Sequence, residues 1–460
     1  MTRRSSRSDA LFGALLFVVA LVPRLAAALY WAGEPVWDGH YYDFGARRIA
    51  AGMGYSDDVM RGGVLVWHPW AHYPVGYSAF LAAFYRVFGS SHAVAAVANA
   101  LVGAALAVVT WALARHALSD VRARVAGLIV ALHPGLILYA ALVMTEPLAS
   151  LLTLVAFLAA VAAPPRRGLV AGALLLGLAA LVRPQALLCA PFLALVGFRG
   201  DLRRRAVAAL AACAIAVLPV LPWTARNCRV MDGCALVSTN AGWNLAIGAF
   251  PRATGRFETL HASDGCRDVT GQVQQDRCWL DYGVDRIRER PGWWLALVPK
   301  KLGFTFDHES FAVEYLHEAD PDAWPEARRT LGRDVTTFAH RLLLAAAALG
   351  CIAFPVGRRR RSAAWQGALL VVAAGFVAWA VTANPPIFWP LAVLVAVVPW
   401  LPLPGRPAWP PALLLPVSLL LTTLLTHAVF FGEDRYHVVV TPVLALLAAS
   451  ALRRRAAVPQ

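Results

Sequence analysis

Long apolar runs separated by short polar loops dominate the chain, and their lengths predict helices that cross a membrane. The first, Leu11 to Trp31, is about 21 residues, enough to span the hydrocarbon. Further runs lie at about 93–114, 125–143, 147–163, 169–182, 185–198 and 206–222, then at about 337–355, 363–382, 387–402, 411–430 and 437–451. That makes twelve expected spans; several are only about 14–17 residues, which implies local thinning or shallow, partly re-entrant ends. Pro74 to Phe88 is apolar too, but at about 15 residues it is too short to cross and predicts a helix lying in the interface. Residues 32–92 then form one long external loop, with another short helix around Tyr41–Ala51. Residues 223–335 are the largest polar region, loop-rich by their turn chemistry (Met231-Asp232-Gly233, Asn240-Ala241-Gly242, Ser263-Asp264-Gly265). The expected fold class is an all-α polytopic membrane protein in three parts: a seven-span module 1–222, an external region 223–335 and a five-span bundle 336–460.

Composition agrees. Of 460 residues, 59% are hydrophobic and 15% charged, against about a quarter charged in soluble domains; the mean hydropathy is +0.58. The formal net charge of +15 is topological. Seven short segments (1–9, 115–124, 164–168, 199–205, 358–361, 402–410, 453–460) hold nearly half of the 42 Lys and Arg and only three acids, Asp9, Asp120 and Asp201. Basic residues gathered in short loops mark the cytoplasmic side, so no nucleic-acid partner is implied. Both termini are then cytoplasmic, and 32–92 and 223–335 lie on the outer face of a bacterial-type inner (plasma) membrane. The basic start followed by an apolar run is read as an uncleaved first helix rather than a signal peptide; Arg24 inside it faces other helices or snorkels. Cys228, Cys234, Cys266 and Cys278 all fall in the external region, and proximity favours the pairs Cys228–Cys234 and Cys266–Cys278 in an oxidising compartment.

Ionisable residues recur where expected spans meet water on one face. Trp37-Asp38-Gly39-His40-Tyr41-Tyr42-Asp43 follows the first span, Thr145-Glu146-Pro147 joins two others, Arg183-Pro184 the next pair, and Gly432-Glu433-Asp434-Arg435-Tyr436-His437 precedes the last. A carboxylate able to take a proton from an acceptor, with arginines able to hold an anionic leaving group, is what sugar transfer from a lipid phosphate requires. Any one of these residues has a bland reading as a helix cap or a snorkelling cation; four such sites on one face make the chemical reading the better one. His68 and His72 have i, i+4 spacing, but Pro69 between them makes a regular helix doubtful and two histidines are a weak metal signal. No Asp-x-Asp sequence stands in the first loop, and Asp57 and Asp58 would point apart if extended. No metal cofactor is therefore expected; a divalent ion is the alternative.

The acid after the first span, the segment His72-Tyr73-Pro74-Val75-Gly76-Tyr77 leading into a helix ending Val87-Phe88-Gly89, Glu146, Arg183-Pro184, Ser238-Thr239-Asn240-Ala241-Gly242-Trp243-Asn244 and Asp434-Arg435-Tyr436 together resemble the GT-C glycosyltransferases. The bacterial branch of protein O-mannosyltransferase-like and aminoarabinose transferase-like enzymes is the most similar. The resemblance covers most of residues 10–310. It implies the GT-C fold, a polyprenyl-phosphate-linked sugar donor and transfer on the external (periplasmic) face; the reaction expected is one inverting displacement onto a protein, glycolipid or polysaccharide acceptor. By the same resemblance Asp38 is the candidate base and Glu146 the second acid. Arg183, Arg435 and Tyr436 are candidates for the lipid phosphate, with His72, Tyr73 and Asp43 as further substrate-side residues. Two departures matter. The usual Pro-Pro-Gly is Pro74-Val75-Gly76 here, and Glu-Lys of the aminoarabinose enzymes is replaced by His72-Tyr73, which counts against that particular transfer. The rival is a transporter or lipid-linked-sugar flippase, which would place ionisable residues and broken helices near span midpoints.

Overall fold

The computed structural model describes residues 7–198, 200–353, 360–402 and 408–452. The basic residues expected at 1–6, 199, 358–359, 403–407 and 453–460 lie outside them. Helices α1 (Arg7–Trp31), α2 (Asp38–Ala50), α3 (Val75–Phe88) and α4 (His92–Ala114) open the chain, with an antiparallel hairpin of β1 (Ser56–Arg61) and β2 (Val64–Pro69) between α2 and α3. Next come α5 (Asp120–Leu132), α6 (Pro134–Leu138), α7 (Glu146–Ala162), α8 (Pro165–Val182), α9 (Ala190–Gly197), α10 (Leu202–Val217) and α11 (Leu221–Val230). The polar region carries α12 (Ala241–Ile247), α13 (Gln272–Glu289), α14 (Pro291–Ala296), α15 (Val298–Phe306) and α16 (Phe311–Ala319). The chain ends with α17 (Glu326–Ala353), α18 (Arg360–Thr382), α19 (Trp389–Val397), α20 (Pro411–Val429) and α21 (Thr441–Ser450).

Among the described residues, five helices (α1, α4, α8, α17, α20) are long and apolar enough to cross a membrane, or up to seven spans if each of two bent pairs counts as one. The fold is all-α and polytopic, as the apolar pattern predicts. Much of the remaining apolar chain is in shorter helices such as α3, α7 and the 184–197 segment. One large core includes residues from α1 to α10 and from α15 to α21, so the N-terminal helices and the last ones pack together, while α12 and α13 contribute to a separate, smaller core. Ser150 on α7, for example, donates to the Val439 carbonyl at 2.8 Å.

The structure differs from the sequence reading at three places. The expected straight span 125–143 is broken by 54° between α5 and α6. Pro134 lacks an N–H and pushes His133 out of helical geometry (ψ 122°), which strands the carbonyls at the end of α5. Arg24, fully buried, takes them: Nη1 reaches the Ala131 carbonyl at 2.6 Å and Nη2 that of Val130 at 2.8 Å. So Arg24 faces other helices, as expected, and acts there as a helix C-cap. The 206–222 run also breaks, by 52°, and continues as α11 to Val230. The 223–335 region is far more helical than its turn residues suggest. Both favoured disulfides, Cys228–Cys234 and Cys266–Cys278, are present in it.

Candidate active site

Helix α2 starts at Asp38 itself, three residues earlier than the sequence reading placed it, so the carboxylate lies in a helix's first turn where the macrodipole favours it. The approach is tight. Trp37 takes a left-handed backbone (φ 50°), a conformation costing of order 1 kcal/mol or more outside glycine, and its ring is held against Phe311 and Tyr315. A Cβ on Gly39 would stand 2.2 Å from the Tyr315 hydroxyl and 3.0 Å from the Val143 carbonyl, so glycine lets α2 begin there.

Two donors converge on the Asp38 carboxylate. Tyr73 Oη donates to Oδ1 at 2.7 Å, and Arg435 Nη1 donates to Oδ2 at 2.5 Å from 397 residues away. Burial alone would raise this carboxyl, but the Arg435 guanidinium and the hydrogen bonds from Tyr73 and Arg435 outweigh it and hold it below the usual carboxylate range. His72 packs edge-on against Tyr73 and Trp243. Burial pushes its imidazole below the ordinary histidine value, with Asp38 opposing only in part. The strap carrying His72 and Tyr73 is tied down by the polar region: Gln272 accepts from the Ala71 N–H at 3.0 Å, Thr239 N–H donates to the Ala71 carbonyl at 2.8 Å, and Arg226 holds the Trp70 carbonyl at 3.0 Å.

Arg435 sits in a 3₁₀ turn, 434–440, that is anchored on both sides. Asp434 accepts from the backbone N–H groups of Ser310 and Phe311 at the start of α16, and Ser150 secures Val439. Glu433 lies 2.9 Å from Arg435 Nε, and Arg435 also donates to Tyr436 Oη at 3.1 Å. Burial raises the Glu433 carboxyl, with Arg435 opposing. Nearby, Arg183 at the end of α8 pairs with fully buried Glu146 on α7 at 3.2 Å. The guanidinium groups of Arg183 and Arg435 flank the Tyr436 ring at 5.3 and 5.0 Å from its centroid. Asp38, Tyr73, His72, Arg435, Tyr436, Arg183 and Glu146 thus form one connected cluster.

Asp43 does not belong to it. Five residues on from Asp38 it points about 140° round the helix, where it bonds Arg47 at 2.6 Å and Tyr85. His68 is likewise taken, by Asp57 at 2.7 Å across the hairpin, while Asp58 turns the other way to Arg48. His68 and His72 therefore face separate partners.

Two cavities meet at the cluster. One, of about 340 Å³, is lined by Arg183, Tyr436, His427, Thr426, Phe430 and Leu236 among others. The second, of about 730 Å³, is walled by Trp37, Tyr41, Trp70, Phe311, Arg256 and Glu433 among others. Asp38, His72, Tyr73 and Arg435 line both. The Asp38 side chain keeps 24% of its surface exposed, so it is reachable from these spaces. His427, stacked on Tyr436 with centroids 4.0 Å apart, and the aromatic wall from α16 carry no signal in the sequence; tertiary contact alone brings them here.

Residues 72–223 match the model of a family described as dolichyl-phosphate-mannose-protein mannosyltransferase. Over those residues the match agrees with the resemblance to the GT-C glycosyltransferases. No curated protein matches the chain. Among solved structures, the oligosaccharyltransferase of Archaeoglobus fulgidus tethered with an acceptor peptide aligns at a TM-score of 0.43 and 12% identity over 95% of this chain and 49% of that one. AglB from the same organism, in complex with an inhibitory peptide and a dolichol-phosphate, gives 0.40 and 14% over 97% and 50%. ArnT from Cupriavidus metallidurans bound to undecaprenyl phosphate gives 0.36 and 16% over 95% and 77%. The chain spans about half the length of the archaeal proteins.

Proposed function

We propose that this GT-C-type membrane glycosyltransferase moves a sugar from a polyprenyl-phosphate-linked donor to an acceptor hydroxyl on the external face, in one inverting displacement. The observation that carries the reading is the shared guanidinium: Arg435 binds Asp38 and stands with Arg183 around Tyr436 at the junction of two cavities. The donor phosphate enters the arginine-lined cavity and the acceptor the aromatic one. Phosphate draws Arg435 away from Asp38, and the carboxylate, released from its cation, becomes a stronger base. Asp38 then takes the acceptor's hydroxyl proton as that oxygen bonds to the anomeric carbon. The bond from that carbon to the phosphate oxygen breaks, and the electron pair leaves on a phosphate paired with Arg435 and Arg183. Glu146 holds Arg183 in place, and Tyr73 orients Asp38. A monophosphate leaving group needs less neutralisation than a pyrophosphate, so the two arginines serve without a metal at this centre.

The transport alternative gains one observation, since a buried cation and a broken helix do occur together at Arg24 and α5–α6. There, however, the guanidinium is spent on backbone carbonyls and lines neither cavity. The test is sugar transfer in membranes holding the wild type or Asp38→Asn at equal abundance, supplied with a panel of radiolabelled polyprenyl-phosphate sugars. The wild type should move label from one donor, and the variant should lose about 10²–10⁴-fold. Equal transfer by both would remove Asp38 as the base.

A further inference from the structure

Behind the Arg435 turn lies a buried cluster that sugar transfer does not use. Glu309, in the link between α15 and α16, meets His437 from the 434–440 turn and His340 from α17. All three are buried, with ligand-capable atoms within 4.8 Å of one another. Each imidazole has one nitrogen committed to a backbone carbonyl: His437 Nδ1 to Thr305 at 2.6 Å and His340 Nε2 to Phe306 at 2.9 Å. A carbonyl only accepts, so those nitrogens carry the hydrogen, and unless a second proton is bound the opposite nitrogens present lone pairs. These are the nitrogens that face the carboxylate. His437 Nε2 is 3.0 Å and His340 Nδ1 3.9 Å from Glu309 Oε2.

Three lone-pair donors aimed into one buried space repel unless positive charge sits among them. A proton on His437 Nε2 would satisfy the 3.0 Å contact alone, leaving Glu309 Oε1 and His340 Nδ1 buried without hydrogen-bond partners, as both are. A metal ion takes all three. We infer that Glu309, His340 and His437 form a divalent transition-metal site for which zinc fits the donor set of two imidazoles and one carboxylate. Metal bonds of about 2.0–2.2 Å put paired ligands some 3–4 Å apart, the range of the two carboxylate contacts. The rings stack with centroids 3.8 Å apart, so the ion seats at their edge toward Glu309 and not between their planes. Histidine ligands whose second N–H bonds a backbone carbonyl are the usual outer support of such sites. Gly135, just past the α5–α6 break, leaves the room: a Cβ there would fall 1.5 Å from Glu309 Oε1. The ion's role is positional, since His437 is two residues from Arg435 and the site would lock the turn that presents it.

The test needs no sugar donor and is independent of the transferase reading. Full-length protein is purified in detergent, through a tag other than polyhistidine, from zinc-supplied cells, and its metal is measured by mass spectrometry. About one zinc per chain is expected, falling about tenfold or more in Glu309→Gln and in His340→Ala. Cobalt loaded in place of zinc should give visible ligand-field bands in the wild type and not in the variants. Should a variant fail to fold, the wild-type metal content and cobalt spectrum decide by themselves. A monodisperse wild type with neither zinc nor cobalt bands overturns the proposal and leaves a shared proton in the cluster. Variants that fold and keep the full metal content overturn it as well.

Discussion

Two arginines embedded in this chain look alike in the sequence and differ entirely in what they touch. Arg24 turns its two terminal nitrogens to the carbonyls of Ala20, Val130 and Ala131, and no carboxylate pairs with it among the described contacts. Arg435 is set against Asp38, Glu433 and Tyr436 and lines both cavities. The first repairs a helix break, so its partners are fixed backbone groups that no ligand could displace without loss of structure. The second is bound to groups that can exchange it for a phosphate. Partners, not burial, separate a structural cation from a reactive one.

Lysine at each position sharpens that contrast. Arg435→Lys keeps the charge but loses the fork that spans Asp38 and an anion; transfer per folded molecule should fall about 10²–10³-fold, with the thermal midpoint little changed. Gly39→Ala drives a methyl into the Tyr315 hydroxyl. It should cost about 1–3 kcal/mol in chemical or thermal unfolding and lower transfer, and adding Tyr315→Phe should recover part of both. Arg24→Lys should behave in the opposite way to Arg435→Lys. It strands a buried carbonyl and lowers stability by about 1–3 kcal/mol, while transfer per folded molecule stays near wild type. Equal effects of the two lysine variants on transfer would dissolve the distinction. The smallest change is Tyr73→Phe, which removes one hydrogen bond to a charged acceptor and should cost about tenfold in kcat/KM.

The membrane class, the short apolar helix 75–88, both disulfides and most residues of the cluster are legible in the sequence, because span length, turn acids and close cysteines are local signals. Asp43 stands outside the cluster because neighbours in sequence are not neighbours on a helix: it faces Tyr85 and Arg47, away from Asp38. The hairpin at 56–69 has a local signal, Gly62-Gly63 between two short runs, which suits a two-residue turn. Pro134 marked the α5–α6 break in the same way. The Asp38–Arg435 pair, and Glu309 with its two imidazoles, join segments far apart in the chain, and no single-sequence pattern encodes such meetings.

The central claim is that Arg435 passes from Asp38 to the donor phosphate. Its most direct test is the acid limb of the pH–rate profile, measured separately for kcat/KM and kcat. The first reports the free enzyme and the second the bound complex. In the free enzyme Arg435 holds the Asp38 carboxyl below the usual carboxylate range, so the active ionised form should persist to low pH and be lost only as pH falls through that depressed value. With donor bound, the guanidinium has moved and burial dominates, so the limb in kcat should lie at higher pH. The account predicts that separation, and its disappearance in Arg435→Met, where both limbs should sit high. Coincident limbs in the wild type would contradict it.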